Sequence, residues 1–350
     1  MSRFIEQNYI ALRCCFTYLL GISLLCTTSF IADQVTSKRI YSFTGTAQGT
    51  SYKIKYKYHE EAIKQFEIDS LFHVFELSLS RYNPSALLYK LNKPKRTARI
   101  DNHLNAVLLY SHEMMISTNG CFDYRLLPLL KLWGFGSKKQ LVKPDSNKII
   151  KKLEETVSSS LFVNKLIAHK STKNLAIDLD GIAQGYCVDQ LTNFIEQKHV
   201  TDFVVELGGE VYVSGTDMDN KAWKIGLGDE HFSGKKHEEV ILTNMDKVGI
   251  TTSGSLQKFI KIGNEYFSHI IDPRTGYPVQ NGIVSVTVIA PTAMLADALD
   301  NAFMVMGKEK SFEWCRQYSD VGCYIVYVNP EGRLVDTANS YFNRFLQIKN

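Results

Sequence analysis

The stretch SHIIDPRTGYPV, from Ser268 to Val279, crowds an imidazole, a carboxylate and a guanidinium around one turn. Turn chemistry alone explains part of it, because Asp272-Pro273 starts a turn, proline fixes φ, and Gly276 supplies a position where φ > 0 costs little. His269, Asp272 and Arg274 are left unexplained, and these types serve acid–base work or hold an anion. A second group lies in APTAMLADALDNAFMVMG, where Asn301 follows Asp297 by four residues and Asp300 follows it by three. Residues at i and i+4 share a helix face with Cβ atoms about 5–6 Å apart, so two side-chain oxygens can converge. Mg²⁺ takes only one or two carboxylates and completes its octahedron with water and phosphate oxygens. So sparse a set suits a hard cation, against the plainer reading of a polar stripe on a core helix.

Three further segments carry weaker signals. In AIDLDGIAQGYCVDQL a strand ends in a carboxylate-bearing turn, and Gly181 and Gly185 open a helix. The unpaired N–H groups of such a junction suit a phosphate, although Asp178 and Asp180 serve equally well as capping residues. NGCFDYRLLPLLKLWGFG puts Asp123 on a loop after a helix, placed to accept hydrogen bonds from a ligand ring or sugar. VVELGGEVYVSG sets Gly208-Gly209 between Glu206 and Glu210, and a bare backbone there lets a flat or phosphorylated ligand approach closely.

The elements that must position these groups follow from periodicity. SYKIKYKY alternates like a strand with Tyr52, Ile54 and Tyr56 on one face. In EEAIKQFEIDSLFHVFELSLSRYN the residues Ile63, Phe66, Leu71, Phe75 and Leu79 recur at helical spacing. A second helix is predicted from Leu104 to Thr118, stopped by Asn119-Gly120. The basic stretch KKQLVKPDSNKIIKKLEE reads as a solvated surface with a short helix. Next come a strand AIDLD, a helix IAQGYCVDQLTNFIEQ, a strand FVVEL with its Gly-Gly turn, a strand GIVSVTVIA, a helix from Ala293 to Met306 and a strand GCYIVYVN. This order predicts an α+β fold of mixed, largely antiparallel sheets with packed helices, in two lobes, preceded by an apolar N-terminal helix. There is no GxGxxG or Walker loop.

Composition narrows the partners. With 350 residues, 45% hydrophobic and 22% charged, the chain can bury a large core, and a net charge of +4 gives no basis for a nucleic-acid partner. From Cys14 to Ala32 it runs without a charge, after Arg3 and Arg13. Cleaved signals have an apolar region of roughly 7–15 residues and spanning helices need about 20, so residues 1–32 are an export signal or a membrane anchor. Its length favours the anchor. Cleavage after Ser29 stays open, while Leu25 argues against lipidation of Cys26. The other cysteines, Cys121, Cys187, Cys315 and Cys323, show no metal-ligand spacing and read as free buried thiols, with a Cys315–Cys323 bridge open to an exported domain.

Taken together, GTAQGTSY, SRYNP, NGCFD, LWGFG, IDLDGIAQGYCVD, ELGGEVYVSG, HIIDPRTGYPVQ and ADALDNAFMVMG resemble the motifs of the ApbE family, the FAD:protein FMN transferases, in that family's order. The resemblance implies an exported, often membrane-anchored enzyme of the inner membrane or periplasm, with its transferase domain over residues 40–348. It implies that FAD and Mg²⁺ are bound and that FMN is joined by a phosphoester to a Thr or Ser hydroxyl of an acceptor protein, releasing AMP. FAD hydrolysis to FMN and AMP, or an exported module that holds FAD uncut, are the alternatives. By motif, Gln48, Tyr82, Cys121, Phe122, Asp123, Asp178, Gln184 and Ile270 would contact FAD, and His269 would lie by the diphosphate as the catalytic residue. The Gly181 carbonyl, Asp297 and Asn301 would hold the metal, with Asp272 and Arg274 fixing the turn or the phosphates. Departures are Gln48 for Met, Gln184 for Lys, Asn301 for Thr, Ala86-Leu87 for Ser-Glu and Ser255-Leu256 for Asp-Tyr.

Overall fold

Alternating aromatic and lysine residues make Thr50–Tyr58 a strand (β2) with Tyr52, Ile54 and Tyr56 buried. The computed structural model describes residues 37–135, 142–227, 240–254, 259–262 and 265–348. The signal or anchor expected over residues 1–32 lies outside them, as do Ser255 and Leu256. Among the described residues no helix is long and apolar enough to cross a membrane.

Arg39–Ala47 (β1) enters β2 through Gln48-Gly49, both at positive φ. Asp202–Leu207 (β3), Glu210–Ser214 (β4), Val248–Gly254 (β5), Ile283–Ala290 (β6), Gly322–Val328 (β7) and Leu334–Ala338 (β8) complete an eight-stranded sheet. Each strand lies beside its neighbours in this numbering, and β2 to β8 pair antiparallel throughout. The expected α+β class with antiparallel pairing is thus the observed one. Residues Ile40–Asn350 group as one compact unit.

The main helices are Gln65–Leu79 (α1), Leu87–Leu91 (α2), Asn102–Ser117 (α3), Leu127–Trp133 (α4), Ser146–Val157 (α5), Ala183–Gln197 (α6), Ala293–Met306 (α7) and Lys308–Cys315 (α8). Most pack with the sheet around one core that includes Phe75, Phe203 and Phe303. Full burial of such a side chain contributes roughly 1.5–3 kcal/mol. The apolar face of α1 differs from expectation. Glu67 accepts a hydrogen bond from the Lys64 amide at 2.9 Å, which starts the helix at Gln65. The helical phase then buries Ile68, Phe72, Phe75 and Leu79, leaving Phe66 68% exposed and Ile63 buried ahead of the helix. Helix α3 ends at Ser117, followed by Asn119 and Gly120 at positive φ, as predicted.

The strand expected at AIDLD is absent: residues 176–179 pair in no sheet and Asp180 lies in a turn. The Asn92 side chain satisfies both backbone groups of Ile177, at 2.7 and 2.8 Å, and the Asp178 amide donates to the Tyr124 carbonyl at 2.8 Å. A side chain has taken the place of a partner strand.

Helices α6 and α7 hold each other by exchanged carboxylates. Ile182 at the N-cap of α6 has no oxygen to offer, and Asp297 of α7 accepts from the Gly185 amide at 2.9 Å instead. In return, Asp189 of α6 accepts from the amides of Ala293 and Met294 at 2.8 and 2.9 Å. Each helix start, with its orphan N–H groups, is capped from the other helix.

Ala86, fully buried, is the N-cap of helix α2 and offers no side-chain cap. Ala86→Ser is expected to add about 1 kcal/mol and raise Tm by a few degrees; a scan showing no gain would mean that a hydroxyl at this position does not cap the helix.

Candidate active site

Two adjoining chambers, of about 690 and 380 Å³, open between the sheet and its helices. The β1–β2 turn, the end of α1, the start of α6, the middle of α7 and the β3–β4 turn enclose the larger one, which is lined by Gln48, Gln184, Glu210, Asp297 and Asp300 among others. The smaller is more apolar and presents Cys121, Phe122, Asp123, Asp178, Gly181 and Ile270. Tyr82, His269 and Asn301 line both, together with Arg81 and Asp180. Every residue singled out by motif as a ligand contact, metal ligand or catalytic group therefore faces this double cavity. Ala86 and Leu87 line neither part.

At the floor of the larger chamber Asp297 and Asp300 are 3% and 2% exposed. Burial, and then the nearby Glu210, push both carboxyls well above the usual carboxylate range. The Asn301 amide nitrogen donates to Asp300 Oδ1 at 2.9 Å and to the Asp297 carbonyl at 3.0 Å, and lies 3.5 Å from Asp297 Oδ1. Gly181 packs against the same amide, so closely that a Cβ there would sit 3.0 Å from Asn301 Nδ2. Asp297, Asn301 and Gly181 thus converge at one spot. No group of three His, Cys, Asp or Glu side chains suited to a metal occurs among the described residues. The convergent set is instead the Asp297 carboxyl, the Asn301 side-chain amide, whose nitrogen faces Asp297, and the Gly181 backbone, beside surplus buried acid. Turned by half a rotation the Asn301 amide would present its oxygen instead, and with the Asp297 carboxylate and the Gly181 carbonyl it would fit a Mg²⁺ ion that keeps several positions for water and phosphate.

The turn after His269 is held from within. Arg274 grips Asp272 through Nε at 2.9 Å and Nη2 at 2.7 Å, while the Asp272 carbonyl accepts from the amides of Thr275 and Gly276. Trp133 of α4 donates to the Gly276 carbonyl at 2.8 Å, and Gly276 abuts Ile149 of α5. Asp272 and Arg274 therefore brace the turn and line neither chamber, and His269 is carried into the passage between the chambers.

Other side chains are already engaged. Asp123 receives the Arg125 fork, at 2.9 Å from Nε and 2.7 Å from Nη2. The Gln48 amide donates to Cys187 Sγ at 2.7 Å. The Asp178 carboxyl is pushed up to about 7 by burial and by Asp180, against the pull of Arg81. All four described cysteines are free and buried.

Sequence reasoning missed Arg81, Asp180 and Glu210 as site residues. Arg81 stood inside a quoted motif, but its partner Asp180 lies 99 residues further on, at 2.6–3.0 Å in space. Glu210 was visible only as the flank of a glycine turn.

Comparison with known proteins supplies the family. The ApbE family profile matches residues 48–325. Over 347 residues the chain is 27% identical to an FAD:protein FMN transferase of Haemophilus influenzae, covering 94% of this chain and 97% of that one. Over 261 residues it is 30% identical to the FAD:protein FMN transferase of Escherichia coli K12, covering 73% of each. The flavin transferase ApbE from Vibrio cholerae aligns with a TM-score of 0.77 at 26% identity, covering 88% of this chain and 99% of that structure.

Proposed function

Because the chain belongs to the ApbE family, we propose that it transfers FMN from FAD to a Thr or Ser hydroxyl of an acceptor protein, with Mg²⁺ held by Asp297, Asn301 and the Gly181 carbonyl. The observation that carries this reading is the convergence of those three residues beside His269, where two chambers meet. A dinucleotide fits such a cavity with one end in each chamber and its diphosphate at the passage.

The acceptor hydroxyl attacks the FMN-side phosphorus, the bond to the AMP oxygen breaks in line, and AMP departs with that oxygen. When bound, the cation supplies the positive charge that offsets the diphosphate and the leaving group. His269 aligns the hydroxyl and takes its proton. Asp297 keeps the start of α6 in place while presenting its carboxylate to the metal position. Phe122, Ile270 and the neighbouring apolar wall give the smaller chamber a surface suited to a flat ring. The uncharged segment from Cys14 to Ala32 supports export, with the domain tethered to the inner membrane or released beside it.

Incubation with FAD, Mg²⁺ and a Thr-containing acceptor should load FMN on that acceptor, read by mass spectrometry, with stoichiometric AMP. Rapid AMP release without acceptor would mean hydrolysis, and intact FAD after long incubation would mean a binding module. His269→Ala is expected to slow transfer by roughly 10²–10⁴-fold, the usual worth of a positioned acid–base group. FAD affinity and the circular dichroism spectrum should stay near wild type. Undiminished transfer by this variant would remove His269 from the chemistry.

A further inference from the structure

We propose that Arg81 is the chain's own diphosphate-binding cation, and that Asp180 holds its place until FAD enters. The inference rests on the FMN-transfer reading and adds a residue to it. Its first support is position. Arg81 lines both chambers, as do His269 and Asn301, so its guanidinium stands at the passage that the linking phosphates of a dinucleotide must cross.

The second support is charge. Among the described lining residues Arg81 is the one Lys or Arg, set among Glu76, Asp178, Asp180, Glu210, Asp297 and Asp300. A diphosphate entering so acidic a cavity needs compensation from cations, and Arg81 is the lining side chain that can supply a fixed positive charge beside whatever cation Asp297 and Asn301 would hold.

The third support is the form of the Arg81 contacts. Nε lies 3.0 Å from both Asp180 oxygens and Nη2 lies 2.6 Å from Oδ2, a fork that a phosphate matches equally well. The Asp180 side chain is 44% exposed, held otherwise by the Tyr82 hydroxyl at 3.2 Å, so leaving for solvent costs it little, whereas Arg81 is 11% exposed. Its guanidinium carbon sits 4.6 Å from the centre of the Tyr82 ring, and Asp178 Oδ1 is 3.4 Å from Nε, so the charge stays at the passage when Asp180 leaves. Exchange of one anion for another at a fixed fork needs no movement of the backbone.

Flavin-fluorescence titrations with FAD and with riboflavin, which lacks the diphosphate, test the assignment. In the full chain, Arg81→Ala should weaken FAD about 10–100-fold and leave riboflavin within about two-fold, with Arg81→Lys intermediate. Asp180→Asn frees the fork and should bind FAD at least as tightly as wild type. Equal losses for FAD and riboflavin in Arg81→Ala, or an FAD loss in Asp180→Asn matching it, would show that the pair only supports the fold and would overturn the inference. So would unchanged FAD affinity in Arg81→Ala. If wild type itself fails to bind FAD or to load an acceptor, it is the transfer reading that falls.

Discussion

Asp297→Asn is expected to fold as wild type does and to transfer FMN roughly 10³-fold more slowly, the scale of losing one fixed electrostatic stabiliser. The asparagine keeps an oxygen for the Gly185 amide, so the start of α6 stays capped. What it loses is the negative charge presented to the metal position. Titration supplies an independent readout. Burial holds Asp297 and Asp300 protonated well above the usual range, and Asp178 up to about 7, whereas the unfolded chain releases these protons near pH 4. Through that window the folded state binds more protons than the unfolded one, so the stability of the metal-free protein falls as pH rises from about 4 to about 7. A cation that replaces those protons stabilises most at the top of the window. The gain in Tm on adding millimolar Mg²⁺ should therefore be larger near pH 8 than near pH 5, and should shrink in Asp297→Asn. Transfer by this variant within ten-fold of wild type, or a Mg²⁺ effect independent of pH, would remove Asp297 from the metal site.

What could be read beforehand followed the range of each signal along the chain. The helix Ala293–Met306 was legible because its start, its apolar repeat and the Asp297–Asn301 pair all lie within one short segment. The strand GIVSVTVIA and the Gly208-Gly209 turn are legible for the same reason, since a β-branched apolar run and positive φ are local properties. Reading failed where a distant side chain decided the outcome. Residues 176–180 have the composition of a strand, yet Asn92 supplies the hydrogen bonds a partner strand would have given. The phase of α1 was set by the Glu67 contact at its first turn, and Phe66 turned outward as a result. Asp300 beside Asp297 is legible on one helix, but the full acid surplus is not, because Glu210 comes from a different strand. Arg81 gains its fork partner from Asp180, 99 residues away in sequence. His269 was singled out through its motif, but only the packing of Trp133 and Ile149 on the turn explains how it is aimed.

Gly185→Ala should damage the protein more than any loss of a surface contact. A Cβ at that position would lie 2.4 Å from the Ala293 carbonyl oxygen, 2.7 Å from its carbon and 2.8 Å from Met294 Cα. All three are backbone atoms at the start of α7, so no rotamer change relieves the clash and the helices must separate. Overpacking of this kind costs about 1–3 kcal/mol and occasionally more. The site feels it directly, since the Gly185 amide is the donor that holds Asp297, and both Asp189 contacts cross the same seam. A displacement of about 1 Å at a reacting centre can cost 10²-fold in rate, so transfer is expected to fall by about that factor even at temperatures where the variant is folded. Gly226→Ala is the matched control. Its new Cβ would meet nothing within 4 Å, and stability should move by no more than about 0.5 kcal/mol. If Gly185→Ala melts and transfers like this control, α6 and α7 are not pressed together as described, and the capping that seats Asp297 has been wrongly assigned.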